Sequence, residues 1–196
     1  MSDSPMNESR VKIGGSQAFT LPRDVKVMII PAGHTAVLRE GDKVTVMQAL
    51  GGTATVTTGD GEMARLTPED SVDFGFVRPT KKSDADGEVT SGEFTIESVW
   101  EAAATVYDPE IPVDIVELGL VYRVTPSDLP SGNKRVDIDM SVTAPFCGMG
   151  DIMRQDLHDA VAGLPGVEEV DVVLVFDPPW DASRLSDIAR LELGMM

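Results

Sequence analysis

The chain has 196 residues with 16 Lys+Arg and 33 Asp+Glu, a formal charge of −17. Its 42% hydrophobic and 25% charged residues are the balance of a folded globular protein, which excludes disorder throughout, and the length suits one domain or two small ones. The acidity excludes bulk nucleic-acid binding, which rests on Lys and Arg neutralising phosphates.

In chain order, VKVMII (residues 25–30) is a predicted strand ended by Pro31 and Gly33. VTVMQAL (44–50) and TATVTT (53–58) flank Gly51-Gly52, a two-residue hairpin signal because both positions tolerate positive φ. Gly59-Asp60-Gly61 then turns the chain into MARL (63–66), so the first half reads as a small all-β domain, a meander or open barrel. His34 reads as a solvated turn residue. The stretch RPTKKSDADGEVTSGE (78–93) is charged and lacks an apolar period. It reads as a linker or else a long surface loop, and the predicted organisation is a β-rich domain over 1–78, a linker over 79–93 and a second domain over 94–196. Charge divides with it: residues 1–80 carry 8 basic and 10 acidic groups, residues 81–196 carry 8 and 23.

The second half alternates helices and strands. Ile96, Val99, Ala103 and Val106 share a helical face with Trp100 beside them, and Thr95 is a predicted N-cap. LVYRV (120–124) is a strand, and PSDLPSGNK connects it to RVDIDMSVT (135–143). There Val136, Ile138, Met140 and Val142 take one face and Asp137, Asp139, Ser141 and Thr143 a solvated one. Ile152, Met153, Leu157, Ala160, Val161 and Leu164 form a helical stripe closed by Gly163 and Pro165, with His158 on the polar face. VEEVDVVLVF (167–176) is apolar enough to be predicted as central, and 181–193 reads as one helix capped by Asp181. The order α-β-β-α-β-α predicts an α+β fold in two layers.

Cys147, in TAPFCGMGD, is the chain's one cysteine. A lone thiol excludes an intrachain disulfide framework and fits a reducing compartment. No apolar stretch approaches the ~18 residues that span a bilayer, and the polar start MSDSPMNESR is unlike a secretory leader, so the expected location is cytoplasmic with no membrane. Cys147 falls between a strand and a predicted helix, where unpaired N–H groups favour a thiolate, unless it serves as a small buried hydrophobe. One cysteine and two distant histidines do not make a closed site, since zinc and iron–sulfur centres generally take four ligands. A second subunit or partner would have to share a labile cluster or iron. YDPEIPVDIVELGLVY (107–122) crowds Asp108, Glu110, Asp114 and Glu117 around Pro109 and Pro112, either as a capped connection or as a loop shaping the thiol's surroundings. In DPPW (Asp177, Pro178, Pro179, Trp180) the prolines fix a turn, with Trp180 packed over it or presented to a partner. No phosphate-binding loop, Ser-His-Asp or Cys-His pattern supports an enzyme.

Taken together, YDPEIPVDIVELGLVY, TAPFCGMGD and LVFDPPW followed by SDIARLELGM resemble the SufT-like group of iron–sulfur cluster assembly proteins. That group belongs to the domain-of-unknown-function-59 family, which also includes PaaD subunits of phenylacetyl-CoA oxygenase systems. The resemblance covers about residues 94–196. IPAG, QALGG and the Val56 strand resemble, more loosely, the extra N-terminal domain of SufT proteins. The resemblance implies a small α/β sandwich of the iron–sulfur scaffold type and an auxiliary role in cluster assembly or delivery. It implies Cys147 as transient ligand of a labile cluster or iron, shared with a second copy or partner. Asp108, Pro109, Glu110, Thr143, Pro145, Gly148 and the 177–180 turn support it. The implied partners are assembly proteins and apo-clients; a pure adaptor and, less favoured, a thiol enzyme are the alternatives. Phe146 stands where members of that group usually have glycine before the cysteine.

Overall fold

The computed structural model describes residues 18–77, 93–143 and 149–195, in two compact units: residues 18–28 with 36–77, and Ile29–Thr35 with 93–143 and 149–195. Six strands form one sheet: β1 (Ala18–Thr20), β2 (Val25–Ile30), β3 (Thr35–Leu38), β4 (Lys43–Leu50), β5 (Thr53–Thr58) and β6 (Met63–Leu66), in spatial order β1-β4-β5-β6-β2-β3. Gly51 and Gly52 both take positive φ (59° and 77°), so the β4–β5 hairpin closes as the dipeptide predicted, with Leu50 opposite Thr53. A register shift between Val46 and Gln48 accompanies an exposed Met47. Val44, Ala54, Val56, Ala64 and Leu66 are buried, and Phe19, Phe74 and Phe76 pack with ring centroids 4.9–5.9 Å apart.

The expectation of an all-β first half is corrected by a short helix, α1 (Pro68–Asp73). Thr67 caps it by accepting the Asp70 N–H at 3.1 Å, and Pro68 stands in the first turn where no N–H is needed. Ser71 ties it down, accepting from Ala54 N and donating to Thr67 O.

The second unit runs α2 (Ile96–Ala103), β7 (Val121–Asp128), β8 (Lys134–Met140), α3 (Met149–Ala162), β9 (Val167–Leu174), a 3-10 turn (Ala182–Arg184) and α4 (Asp187–Glu192). Thr95 caps α2 as expected, accepting from Ser98 N at 3.1 Å. The sheet order is β7-β8-β9, with β7 antiparallel and β9 parallel to β8. The central strand is therefore β8, not the 167–176 strand. Val136, Ile138 and Met140 are at most 1% exposed, whereas β9 buries only Val172 and leaves Val173 47% exposed. Glu168, Glu169 and Asp171 suit an edge, where charge discourages further pairing. α2 packs on α3 and β7, and α3 on β9, through Val99, Ala103, Met153, Leu157 and Val161.

Three local expectations also change. β7 extends through Pro126, which an edge strand tolerates because one side of it needs no donor. Strict alternation ends at Met140: Ser141 is 1% exposed, not solvated, and its N–H donates to Leu120 O at 2.7 Å. The helix expected over 181–193 is broken, because Leu185 is extended (ψ 135°) and buried, and Ser186 starts α4 by accepting from Ala189 N.

The burial contrast between β8 and β9 sets an expected outcome. Ile138→Ala should cost about 2–5 kcal/mol, as core truncations do, and Val173→Ala under about 1 kcal/mol. Urea unfolding midpoints of the two variants measure the difference.

Candidate functional site

Antiparallel β7 and parallel β9 put the start of β7, the end of β8 and the end of β9 at one end of the sheet. Hydrogen bonds join these ends: Ser141 N to Leu120 O at 2.7 Å and Val175 N to Met140 O at 2.8 Å. The first turn of α3 reaches the same place. A Cβ on Gly150 would lie 3.0 Å from Val142 Cγ1 and 3.4 Å from Leu174 Cδ1, so only a residue without a side chain packs there comfortably.

Cys147, Pro145 and Gly148 lie outside the described residues, as does Phe146. The described residues on either side are exposed Thr143 and buried Met149. All three sequence motifs thus border one end of the sheet: 107–119 leads into β7, Thr143 follows β8, and 177–180 follows β9.

The 107–119 loop must satisfy its own backbone, since it is not part of a regular ladder. Asp108 is 6% exposed, and its Oδ1 accepts from Glu110 N at 2.8 Å and Ile111 N at 3.0 Å. Burial pushes its carboxyl above the usual range, against the opposing pull of those two N–H groups. Asp114 repeats the device on Val116 N and Glu117 N, both at 3.0 Å. Pro109 is buried beneath the turn, while Glu110 and Pro112 face solvent. Val113, Ile115, Leu118 and Leu120 fill the core below.

The segment after β9 clasps this loop. The Asp177–Pro178 bond is cis, and Asp177, Pro178 and Pro179 are exposed. Trp180 is half-buried and donates Nε1–H to Leu118 O at 2.8 Å, so it is packed rather than fully presented. Ser186 N donates to Glu117 O at 3.0 Å, and the Ser186 hydroxyl donates to the Glu117 carboxylate. Gly119 (φ 66°) admits the crossing: a Cβ there would press on the Arg184 carbonyl oxygen and lie 2.8 Å from Arg184 Cβ. The Arg184 guanidinium lies 3.8 Å from the Tyr122 ring centre, and the Tyr122 hydroxyl is buried without a hydrogen-bond partner. Sequence reading missed Gly119, Glu117 and Ser186 as a unit. Their only local trace is one glycine between two leucines.

Among the described residues, no three His, Cys, Asp or Glu side chains are grouped to hold a metal ion. His34 is exposed, and His158 Nδ1 lies 3.0 Å from Asp159 Oδ1 on α3. No helix among them is long and apolar enough to cross a membrane.

The model of a family described as iron–sulfur cluster assembly protein matches residues 96–172. An Fe-S protein maturation auxiliary factor of Porphyromonas gingivalis is 37% identical over 102 residues, covering 52% of this chain and 93% of that protein. The auxiliary factor YitW of Bacillus subtilis is 35% identical over 99 residues, covering 50% and 93%. The auxiliary factor SufT of Staphylococcus aureus is 34% identical over 90 residues, covering 46% and 98%. About half of this chain thus spans nearly the full length of these relatives.

Two outcomes test the loop. Gly119→Ala should lose at least about 2 kcal/mol in urea unfolding, from left-handed strain and the collision with Arg184. Asp108→Asn keeps an accepting oxygen but removes the charge. A carboxyl whose native pKa is raised makes the protein lose stability as pH climbs from the ordinary carboxylate range through the raised value. Asp108→Asn should therefore match wild type near pH 3.5, roughly the bottom of that range, and exceed it at neutral pH. Unfolding at both pH values checks the sign.

Proposed function

The chain belongs to the iron–sulfur cluster assembly protein family, and from that premise we propose that it is an auxiliary factor in assembling clusters or delivering them to client proteins. The cluster or iron is cargo, and Cys147 is its transient ligand on this chain. The second unit is then an α/β sandwich of the iron–sulfur scaffold type, and the chain is two domains joined over 79–93. The first unit lies outside the family match.

What supports the reading is the meeting of the 107–119 loop, the residues bordering Cys147 and the 177–180 turn at one end of one sheet. A single thiolate does not hold a cluster firmly, because stable centres generally take four protein ligands. Asp108 and Asp114 accept from backbone N–H groups and Glu117 from Ser186, which leaves Glu110 as the exposed carboxylate of the loop and most donors to come from a partner or a second copy. Such sharing suits handing over cargo rather than keeping it. The partners are assembly proteins and apo-clients in the cytoplasm, and the role is not enzymatic.

A second reading rests on the same commitment of carboxylates. In it the chain is an adaptor that brings client and machinery together, and Cys147 is accessory.

Anaerobic reconstitution with iron and sulfide separates the two. Iron and visible absorbance bound by wild type should fall at least several-fold in Cys147→Ser, with the unfolding midpoint unchanged. Equal uptake by both proteins would leave only the adaptor.

A further inference from the structure

We propose that the outer face of α4 is a docking surface for an apolar segment flanked by Lys and Arg on a partner protein. The helix carries apolar residues on two faces. Ala189 (0% exposed), with Leu185 (5%) just before the helix, holds it to its unit, while Ile188 (60%) and Leu191 (64%) stand outward at a spacing of three, and Met195 (57%) is exposed just beyond the helix end. The patch is built rather than frayed. Gly194 (φ 67°) lets its own N–H return to Leu191 O at 3.1 Å and Met195 N–H to Arg190 O at 2.8 Å, which folds Met195 back over the last turn. At the other end, Ser186 caps the helix and binds Glu117, so the surface adjoins the candidate site.

Area and charge choose the occupant. Three side chains of this size offer on the order of a few hundred Å², short of the ~800 Å² per partner of a stable interface, so the contact is transient. Residues 81–196 carry a net −15, and two copies would bring that charge together. Around α4 the cations are engaged: Arg184 lies over Tyr122, and Arg190 donates to Ser183 O and lies 3.9 Å from Asp187. Asp181, Asp187 and Glu192 remain exposed at the rim. Apolar anchors with a basic surround complement this face, and charge of that sign also speeds encounter. That the partner belongs to cluster maturation rests on the function proposed above; the surface itself does not.

The test uses the full chain and two synthetic helical peptides with leucines at three-and-four spacing, one carrying Lys elsewhere and the other Glu. In a nitrogen–proton correlation titration, the Leu/Lys peptide should shift amides of residues 185–195. It should bind at least tenfold more tightly than the Leu/Glu peptide, and more weakly as salt is raised. Ile188→Ser/Leu191→Ser should weaken binding at least tenfold with an unchanged urea midpoint; if that pair fails to fold, Leu191→Gln replaces it. Equal binding of both peptides, shifts confined to other residues, or indifference to the substitutions would overturn the proposal. So would a sedimenting dimer that these substitutions dissociate, which would give the face to a second copy. No iron or client enters this readout, so its failure is separate from failure of the reconstitution.

Discussion

A largely buried loop with only one bridge pair, Tyr107 opposite Asp114, has to find partners for each of its backbone polar groups, and that requirement organises one end of the second unit. Between Tyr107 and Leu120 the chain carries three fully enclosed residues, Ile115, Leu118 and Leu120. Their own amides turn back on the loop, Ile115 N–H donating to Val106 O, Leu118 N–H to Asp114 O and Leu120 N–H to Ile115 O. Asp108 and Asp114 accept from further N–H groups within the loop, and Trp180 and Ser186, from the segment after β9, donate to its carbonyls. The cost falls on Asp108, a carboxylate kept where burial resists its charge. Such an arrangement is cooperative, because each accepted N–H also fixes the backbone on which the next depends.

This use of carboxylates bears on chemistry. A run of four acids in one loop invites a metal-binding interpretation, yet three of the four already accept hydrogen bonds within the unit. Glu110 alone faces solvent from that set.

The charge pattern fits a protein that meets others briefly. The outer face of the second sheet holds Arg135 among Asp137, Glu169 and Asp171, with bonds of 2.9–3.2 Å. These exposed ion pairs contribute little to stability and are screened by salt, so their effect is mainly on solubility and encounter. Exposed Ile188 and Leu191 of α4 lie on the helix whose cap, Ser186, belongs to the clasp that supports the loop.

Much was legible in residue patterns alone. Gly51-Gly52 encodes its hairpin because few residues other than glycine accept two successive positive φ values. Thr95 and Asp181 encode their caps through an oxygen two or three residues ahead of an amide. The period of Val136, Ile138 and Met140 encodes a strand with one dry face. These are local matters, decided within a few residues. Lateral order is not local: VVLVF in 172–176 is apolar enough for a central strand, but which strand gains two neighbours depends on where α3 returns the chain. Likewise Ser141 is buried because Leu120 comes to meet it, and the helix expected over 181–193 breaks because Leu185 has a core to enter and Ser186 a carboxylate to bind. Glu117, Gly119, Trp180 and Ser186 are up to 69 residues apart and become one device only when two segments cross. Side-chain spacing carries no information about partners at that separation; only the packed backbone brings them within hydrogen-bonding reach.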